Sequence, residues 1–192
     1  MAFERYADDV VVHCVSRPQA ERVLDALVTR MGEVGLTLHP DKTRIVYCKD
    51  KTRRGSHEHT SFTFLGYTFR PRRAVDVNGG YFTSFIPAVS PGALKAMGGV
   101  LRKLRIHHRT GSTLDDLARW LNPIVRGWMQ YYGRFYRSAL YRLLRRVNTY
   151  IRRWARKKYV RLHAYKRFKR WWDGVIERQP NLFAQWKWVR AT

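Results

Sequence analysis

The sequence has only two cysteines, Cys14 and Cys48, and they lie far apart. Two such thiols form neither a disulfide framework nor a four-cysteine zinc site. No run of eighteen apolar residues occurs, so no segment has the pattern of a transmembrane helix. The polar, acidic N-terminus does not resemble a signal peptide. These features predict a reduced cytoplasmic protein without a membrane partner.

Acidic residues are also scarce. The 192 residues include 38 Lys and Arg against 14 Asp and Glu, which gives a net charge of +24. The imbalance is concentrated in residues 101–192, where 24 basic residues face 4 acidic ones, and no acid occurs between Asp116 and Asp173. Like charge on this scale is typical of proteins that bind a polyanion. Structured RNA is the first expectation, and DNA is the second.

Two adjacent aspartates, Asp8 and Asp9, follow Tyr6 near the start of the chain and precede residues 10–14, a run that opens with three β-branched valines. The run predicts a buried strand, and the aspartates are expected in the tight turn before it. Carboxylates held on such a hairpin are ligands that Mg²⁺ prefers, and paired ions can drive phosphoryl transfer. A solvated hairpin turn without a metal is the alternative interpretation.

Four sequence blocks occur along the chain in a distinctive order. They are Tyr6-Ala7-Asp8-Asp9, Gly35–Thr43, Phe64-Leu65-Gly66-Tyr67 and Leu121–Trp128, the last followed by Tyr131-Tyr132. The first three resemble the last palm motifs of bacterial group II intron reverse transcriptases, and the fourth is similar to their maturase-specific domain.

This resemblance implies a family that copies RNA into DNA and helps its intron RNA to fold and splice. It implies that Asp8 ligates Mg²⁺, that Asp9 assists and that Tyr6 supports the site. It also places Lys42 and Gly66 near that active site.

In this family, a further metal-binding aspartate, the fingers and the template-gripping motifs precede the Tyr-Ala-Asp-Asp block, whereas five residues precede Tyr6 here. We therefore expect the C-terminal part of such a protein, with an incomplete Mg²⁺ site and no polymerase activity by itself. One hypothesis is an enzyme fragment that needs an upstream half as a partner. The alternative is a stand-alone basic RNA-binding module with a vestigial palm.

The predicted fold class is α+β, divided near residue 86. Residues 1–86 are expected to form a partial reverse-transcriptase palm, with antiparallel strands and a helix from Pro18 to about Val34. A strand is expected over residues 44–48. Residues 87–192 are expected to form a helical thumb and maturase domain, in which Asn122-Pro123 interrupts one helix.

The segment from Ser138 to about Trp171 has a helical apolar seam with three- and four-residue spacing. Its members are Leu140, Leu144, Val147, Ile151 and Trp154. Basic residues fill much of the remaining surface, and we predict that they bind RNA. They are Arg142, Arg145, Arg146, Arg152, Arg153, Arg156, Lys157, Lys158 and Arg161.

Overall fold

A computed structural model describes residues 1–53 and 55–189. These residues form five α-helices and two antiparallel sheets, which confirms the predicted α+β class. The chain divides into two compact units. Unit 1 contains residues 1–64 and 69–85, and unit 2 contains residues 65–68 and 86–192.

Unit 1 begins with a two-stranded hairpin, β1 (Phe3–Tyr6) and β2 (Asp9–Val12). Helix α1 (Arg17–Glu33) follows, and the Ser16 side chain caps it by accepting a hydrogen bond from the Gln19 N–H. Gly35 has a φ of 70° directly after the helix. Because glycine adopts this left-handed conformation without a steric penalty, it ends the helix as the sequence predicts.

A second sheet contains β3 (Phe62–Phe64), β4 (Tyr67–Val75) and β5 (Tyr81–Val89) in the order β3-β4-β5. The predicted strand at residues 44–48 is wrong, because this segment is irregular in the structure. One of its hydrogen bonds to the rest of the unit joins the Tyr47 N–H to the His59 carbonyl at 2.8 Å. A single bond of this kind does not form a ladder.

Unit 1 lacks a buried core within the residues that the structure describes, since each of them is exposed or half-buried. The expectation of a buried strand after the aspartates is therefore wrong: Val10 is 49% exposed, and Phe3 on the paired strand is 62% exposed. A β-branched run predicts a strand, but burial also requires a second layer against it.

Unit 2 contains the helices α2 (Pro91–Lys103), α3 (Leu114–Tyr132), α4 (Tyr141–Lys158) and α5 (Tyr165–Arg178). Short 3-10 turns at Ile106–His108, Arg137–Leu140, Val160–Leu162 and Ala184–Lys187 lie between or after them. One hydrophobic core joins all four helices. The predicted seam of α4 is confirmed, because its five residues, including Leu140 just before the helix, are fully buried.

Helix α3 begins at a capping box. The Thr113 hydroxyl oxygen accepts from the Asp116 N–H at 3.1 Å, and the Asp116 carboxylate accepts from the Thr113 N–H at 3.0 Å.

The predicted interruption at Asn122-Pro123 is wrong, since α3 is continuous through Pro123. Leu121 and Val125 are fully buried on either side of it. Their burial offsets the backbone hydrogen bond that proline cannot donate.

Candidate functional site

The aspartate pair lies at the tip of the β1–β2 hairpin. Tyr6 pairs with Asp9 across the strands, which leaves Ala7 and Asp8 as the two turn residues. Ala7 has a φ of 53°, and its carbonyl accepts from the Arg5 Nε–H at 3.1 Å. Tyr6, Asp8 and Asp9 are all exposed, so the turn presents both carboxylates to solvent.

The fit of this tip to Mg²⁺ depends on the number of ligands around it. Among the described residues, no group of three His, Cys, Asp or Glu side chains is arranged to hold a metal ion. The neighbouring Glu4 lies 3.6 Å from His13 on the same hairpin. Asp8 and Asp9 therefore supply part of an oxygen ligand set, and these residues alone do not fit a closed Mg²⁺ site.

The other two residues that the resemblance places near an active site have different surroundings. Lys42 is exposed in a turn, where its N–H donates to the His39 carbonyl at 3.2 Å. Gly66 belongs to unit 2 and has a φ of 76°. Its carbonyl accepts from the Ser90 N–H at 2.9 Å, and a Cβ atom at Gly66 would lie 2.8 Å from the Tyr132 hydroxyl.

The turn around Gly66 is attached to the end of α3 by tyrosines. The Tyr131 hydroxyl donates to the Leu65 carbonyl at 2.9 Å, and the Tyr67 hydroxyl donates to the Tyr131 carbonyl. The Tyr67 ring also lies 5.5 Å from the Tyr132 ring. Burial raises the pKa of Tyr67 and of Tyr132, which keeps both hydroxyls protonated at neutral pH.

Helix α4 has a strongly basic exposed face. Seven of its residues are exposed, and six of these are arginine or lysine; the seventh is Thr149. The basic ones are Arg142, Arg145, Arg146, Arg153, Arg156 and Lys157. They recur at three- and four-residue spacing opposite the seam, so the helix directs them to one side. We call these six residues the α4 basic face.

Some of the predicted RNA-binding residues also make contacts within unit 2. The Arg152 guanidinium lies 5.5 Å from the Phe168 ring, and this side chain is half-buried. Arg156 donates to the His163 carbonyl at 2.6 Å, and Lys158 donates to the Ser112 carbonyl at 2.5 Å. Arg161 lies 5.9 Å from the Tyr159 ring. Arg152, Arg156 and Lys158 therefore also help to hold the helix in place.

Carboxylates do not neutralise the α4 basic face within the described part of the chain. The ion pairs of unit 2 join Arg119 to Asp116 and Lys169 to Asp173, both outside α4. The Lys157 Nζ of this face lies 3.3 Å from the His108 Nδ1 in the turn at residues 106–108. Burial, followed by the nearby His108 and Lys157, lowers the pKa of His107. His107 is therefore neutral at pH 7.

Sequence reasoning missed the buried amides that hold the C-terminal segment. The Asn122 amide donates to the Leu182 carbonyl at 2.9 Å and accepts from the Ala184 N–H at 2.8 Å. The Gln185 amide donates to the Asn148 Oδ1 at 2.9 Å, and both side chains are buried. The available signal was Asn148 itself, a polar residue directly after Val147 on the apolar seam.

Within the described ranges, no helix combines the length and the apolar composition needed to cross a membrane. Residues 1–69 match the family model described as reverse transcriptase (RNA-dependent DNA polymerase). Residues 94–172 match the model described as group II intron, maturase-specific domain. Searches of curated proteins and of solved structures find no match. The second match contains the whole of α3 and α4 and most of α5.

Proposed function

The two matches identify a group II intron reverse transcriptase and maturase sequence, and we propose that this chain binds the RNA of such an intron through the α4 basic face. This binding would assist the splicing of the intron RNA and the mobility of the intron. The observation that carries the proposal is the set of six exposed cations on α4, which have no carboxylate partner among the described residues.

The chemistry of this surface favours RNA over a simple solvated face. Solvated helix faces mix charges of both signs, because like charges at helical spacing repel one another. Phosphates relieve this repulsion, and the arginine guanidinium binds a phosphate with two parallel hydrogen bonds. Five of the six residues of the α4 basic face are arginines. DNA offers the same phosphates and is proposed as a second partner.

The polymerase role is a separate proposal and concerns unit 1. We propose that Asp8 and Asp9 are remnants of a Mg²⁺-binding site that Tyr6 supports. By resemblance to the family, Lys42 and Gly66 are proposed to belong near that active site. Mg²⁺ would supply phosphoryl-transfer chemistry when a complete ligand set surrounds it. Because these two carboxylates form only part of that set, the 192-residue chain is not expected to polymerise by itself.

Exposed apolar side chains on unit 1 support a partner that completes the palm. Phe3, Val10, Val28 and Leu36 are each about half exposed or more. We propose that an upstream half of the polymerase covers them, in which case residues 1–86 act as a palm and residues 87–192 as the thumb and maturase domain. The alternative, an RNA-binding module with a vestigial palm, is supported by the core of unit 2, which is complete without that cover.

Filter binding of the purified chain to a transcribed group II intron RNA tests the RNA-binding proposal. Each phosphate contact contributes about −0.7 to −0.9 to the slope of log K against log salt, so six contacts would cost about 10³ in affinity between 50 and 200 mM salt. A slope near zero, or equal affinity for an uncharged polymer, would contradict the proposal.

Cytoplasmic location remains a prediction that fractionation of cells can test.

A further inference from the structure

A short turn in unit 2 places one histidine beside the α4 basic face. The turn is the 3-10 segment Ile106–His108, in which Ile106 is fully buried. Directly after it, the Arg109 carbonyl accepts from the Trp154 Nε1–H of α4 at 2.7 Å. His108 itself is exposed. The turn is therefore fixed against the core on both sides of His108 and presents this imidazole to solvent next to α4.

The chain enters this turn through an uncommon backbone conformation. Arg105, directly before the turn, has a φ of 44° and a ψ of 42°, in the left-handed region that residues other than glycine rarely adopt. Such residues persist only where the surrounding structure holds them, and they cluster at functional sites. The strained backbone is a second, independent indication that the position of this turn matters.

The contact between His108 and Lys157 depends on the charge of the imidazole. The Lys157 Nζ lies 3.3 Å from the His108 Nδ1. A lysine ammonium has three donors and no acceptor, so a hydrogen bond here needs the lone pair on Nδ1 of a neutral imidazole. A protonated imidazole donates from both nitrogens and repels an ammonium at this distance. Neutral His108 therefore holds Lys157, and protonated His108 releases it.

The surroundings of this pair are cationic. The other charged and titratable groups around the turn are Arg105, His107, Tyr150 and Arg153. Burial, followed by the charge of its neighbours, lowers the pKa of His107, so this ring stays neutral to a lower pH than an ordinary histidine. In the described part of the chain, the ion pairs of unit 2 join other residues. A positive charge on His108 therefore lacks a paired carboxylate there, and a bound phosphate can balance it.

We propose that His108 couples RNA binding at the α4 basic face to pH, by holding Lys157 when neutral and releasing it to an RNA phosphate when protonated. The inference rests on the RNA-binding function proposed above and adds its regulation. Protonation supplies two further donors to the phosphates, the imidazolium and the freed ammonium. The affinity for RNA therefore rises as the pH falls through the histidine range, and by linkage the binding takes up protons from solution.

Calorimetric titration of the full 192-residue chain with a transcribed group II intron RNA tests the coupling. Uptake of one proton changes the affinity by at most about tenfold per pH unit, so we expect a gain of about three- to tenfold between pH 8 and pH 6. Circular dichroism at both pH values checks that the chain stays folded. Loss of RNA binding at every pH would overturn both this inference and the proposed function, whereas binding that is independent of pH would overturn only the coupling.

A variant of His108 separates the coupling from the titration of other histidines. His108→Gln keeps an oxygen that can accept from Lys157 and has no proton to titrate, so the affinity at pH 8 should be retained and the gain at pH 6 lost. His39→Gln in unit 1 is the matched control, because the His39 Nδ1 accepts from the Asp41 N–H at 3.3 Å. This control should keep the gain. Equal gains in the two variants would overturn the inference.

A variant of Lys157 tests the release of the ammonium and does not alter the turn. Lys157→Gln leaves no cation to release, so it should lower the affinity more at pH 6 than at pH 8 and thus shrink the gain. Arg142→Gln removes one exposed cation from the first turn of α4 and should lower the affinity without shrinking the gain. An undiminished gain in Lys157→Gln would overturn the proposed release.

Discussion

The Tyr132 ring lies against Gly66, so closely that a Cβ atom on Gly66 would be 2.8 Å from the Tyr132 hydroxyl oxygen. The Leu65-Gly66-Tyr67 segment is thereby attached to the last turn of α3 within unit 2. Glycine is required here for two reasons, its φ of 76° and the contact with the tyrosine.

Gly66→Ala should therefore destabilise unit 2. The left-handed backbone alone costs about 1–2 kcal/mol, and displacement of the Tyr132 ring adds to it. Thermal unfolding by circular dichroism would measure the change. Gly79→Ala in unit 1 is the control for the backbone cost alone, since Gly79 has a φ of 82° with no atom within 4 Å of the added Cβ. If the free energy of unfolding falls by the same amount in both variants, displacement of the Tyr132 ring adds nothing to the destabilisation by Gly66→Ala.

The α4 basic face should dominate the salt dependence of RNA binding. Replacing Arg142, Arg145 and Arg153 with glutamine should flatten the slope of log K against log salt by about two to three units. Arg152 is left unchanged, because it packs on Phe168.

The control for this variant removes three arginines of α1. They are Arg17, Arg22 and Arg30. Arg17 and Arg30 are already paired with Glu21 and Glu33, so equal loss of charge there should change the slope much less. Equal slopes for the two triple variants would reject α4 as the RNA surface.

Primer extension should be absent with the 192-residue chain and Mg²⁺. Loss of one electrostatic contact to the reacting groups lowers a rate by about 10²–10³, and Asp8 and Asp9 lack a third ligand among the described residues. Addition of the upstream half of a related polymerase in trans should restore extension if the palm is functional. Asp8→Ala should then abolish it. Activity of the chain alone that requires Asp8 would disprove the prediction.

Asn148→Ala should destabilise unit 2 by about 2–4 kcal/mol, because it leaves the N–H donors of the buried Gln185 and the half-buried Trp186 without their acceptor. Thr149→Ala changes the next residue, which is exposed, and should alter the free energy of unfolding by less than about 0.5 kcal/mol. Urea unfolding curves would compare the two. Similar midpoints would show that the amide pair is energetically neutral.

Stability should also fall as the pH drops through the range of histidine. The pKa of His107 is lowered in the folded protein, whereas an unfolded histidine titrates near about 6.5. The stability that neutral His107 contributes to the folded protein is therefore complete above that value. It is lost as the pH falls from about 6.5 towards the pKa of the folded state. His107→Phe should reduce the difference in Tm between pH 7 and pH 5. An unchanged difference in Tm in His107→Phe would contradict the prediction.

Features encoded within one or two helical turns could be predicted from the sequence. The spacing of Leu144, Val147 and Ile151 predicts a buried stripe, and the structure confirms it. The capping role of Thr113 follows equally from its position before two acidic residues. Each depends on side chains that are near neighbours along the chain.

Features that depend on distant residues could not be predicted. The sequence around Pro123 favours a break, but packing of Leu121 and Val125 keeps the helix continuous. Burial of Gln185 depends on Asn148, 37 residues earlier.

The anchoring of the C-terminal segment has a consequence for synthesis on the ribosome. Asn122 is translated 62 residues before the Ala184 N–H that donates to it. At about 5–20 residues per second, its amide waits roughly 3–12 seconds for this partner. The core of unit 2 therefore closes only after the last of its helices has been translated, and a nascent chain that is stalled before Leu182 would expose buried amides to chaperones or proteases.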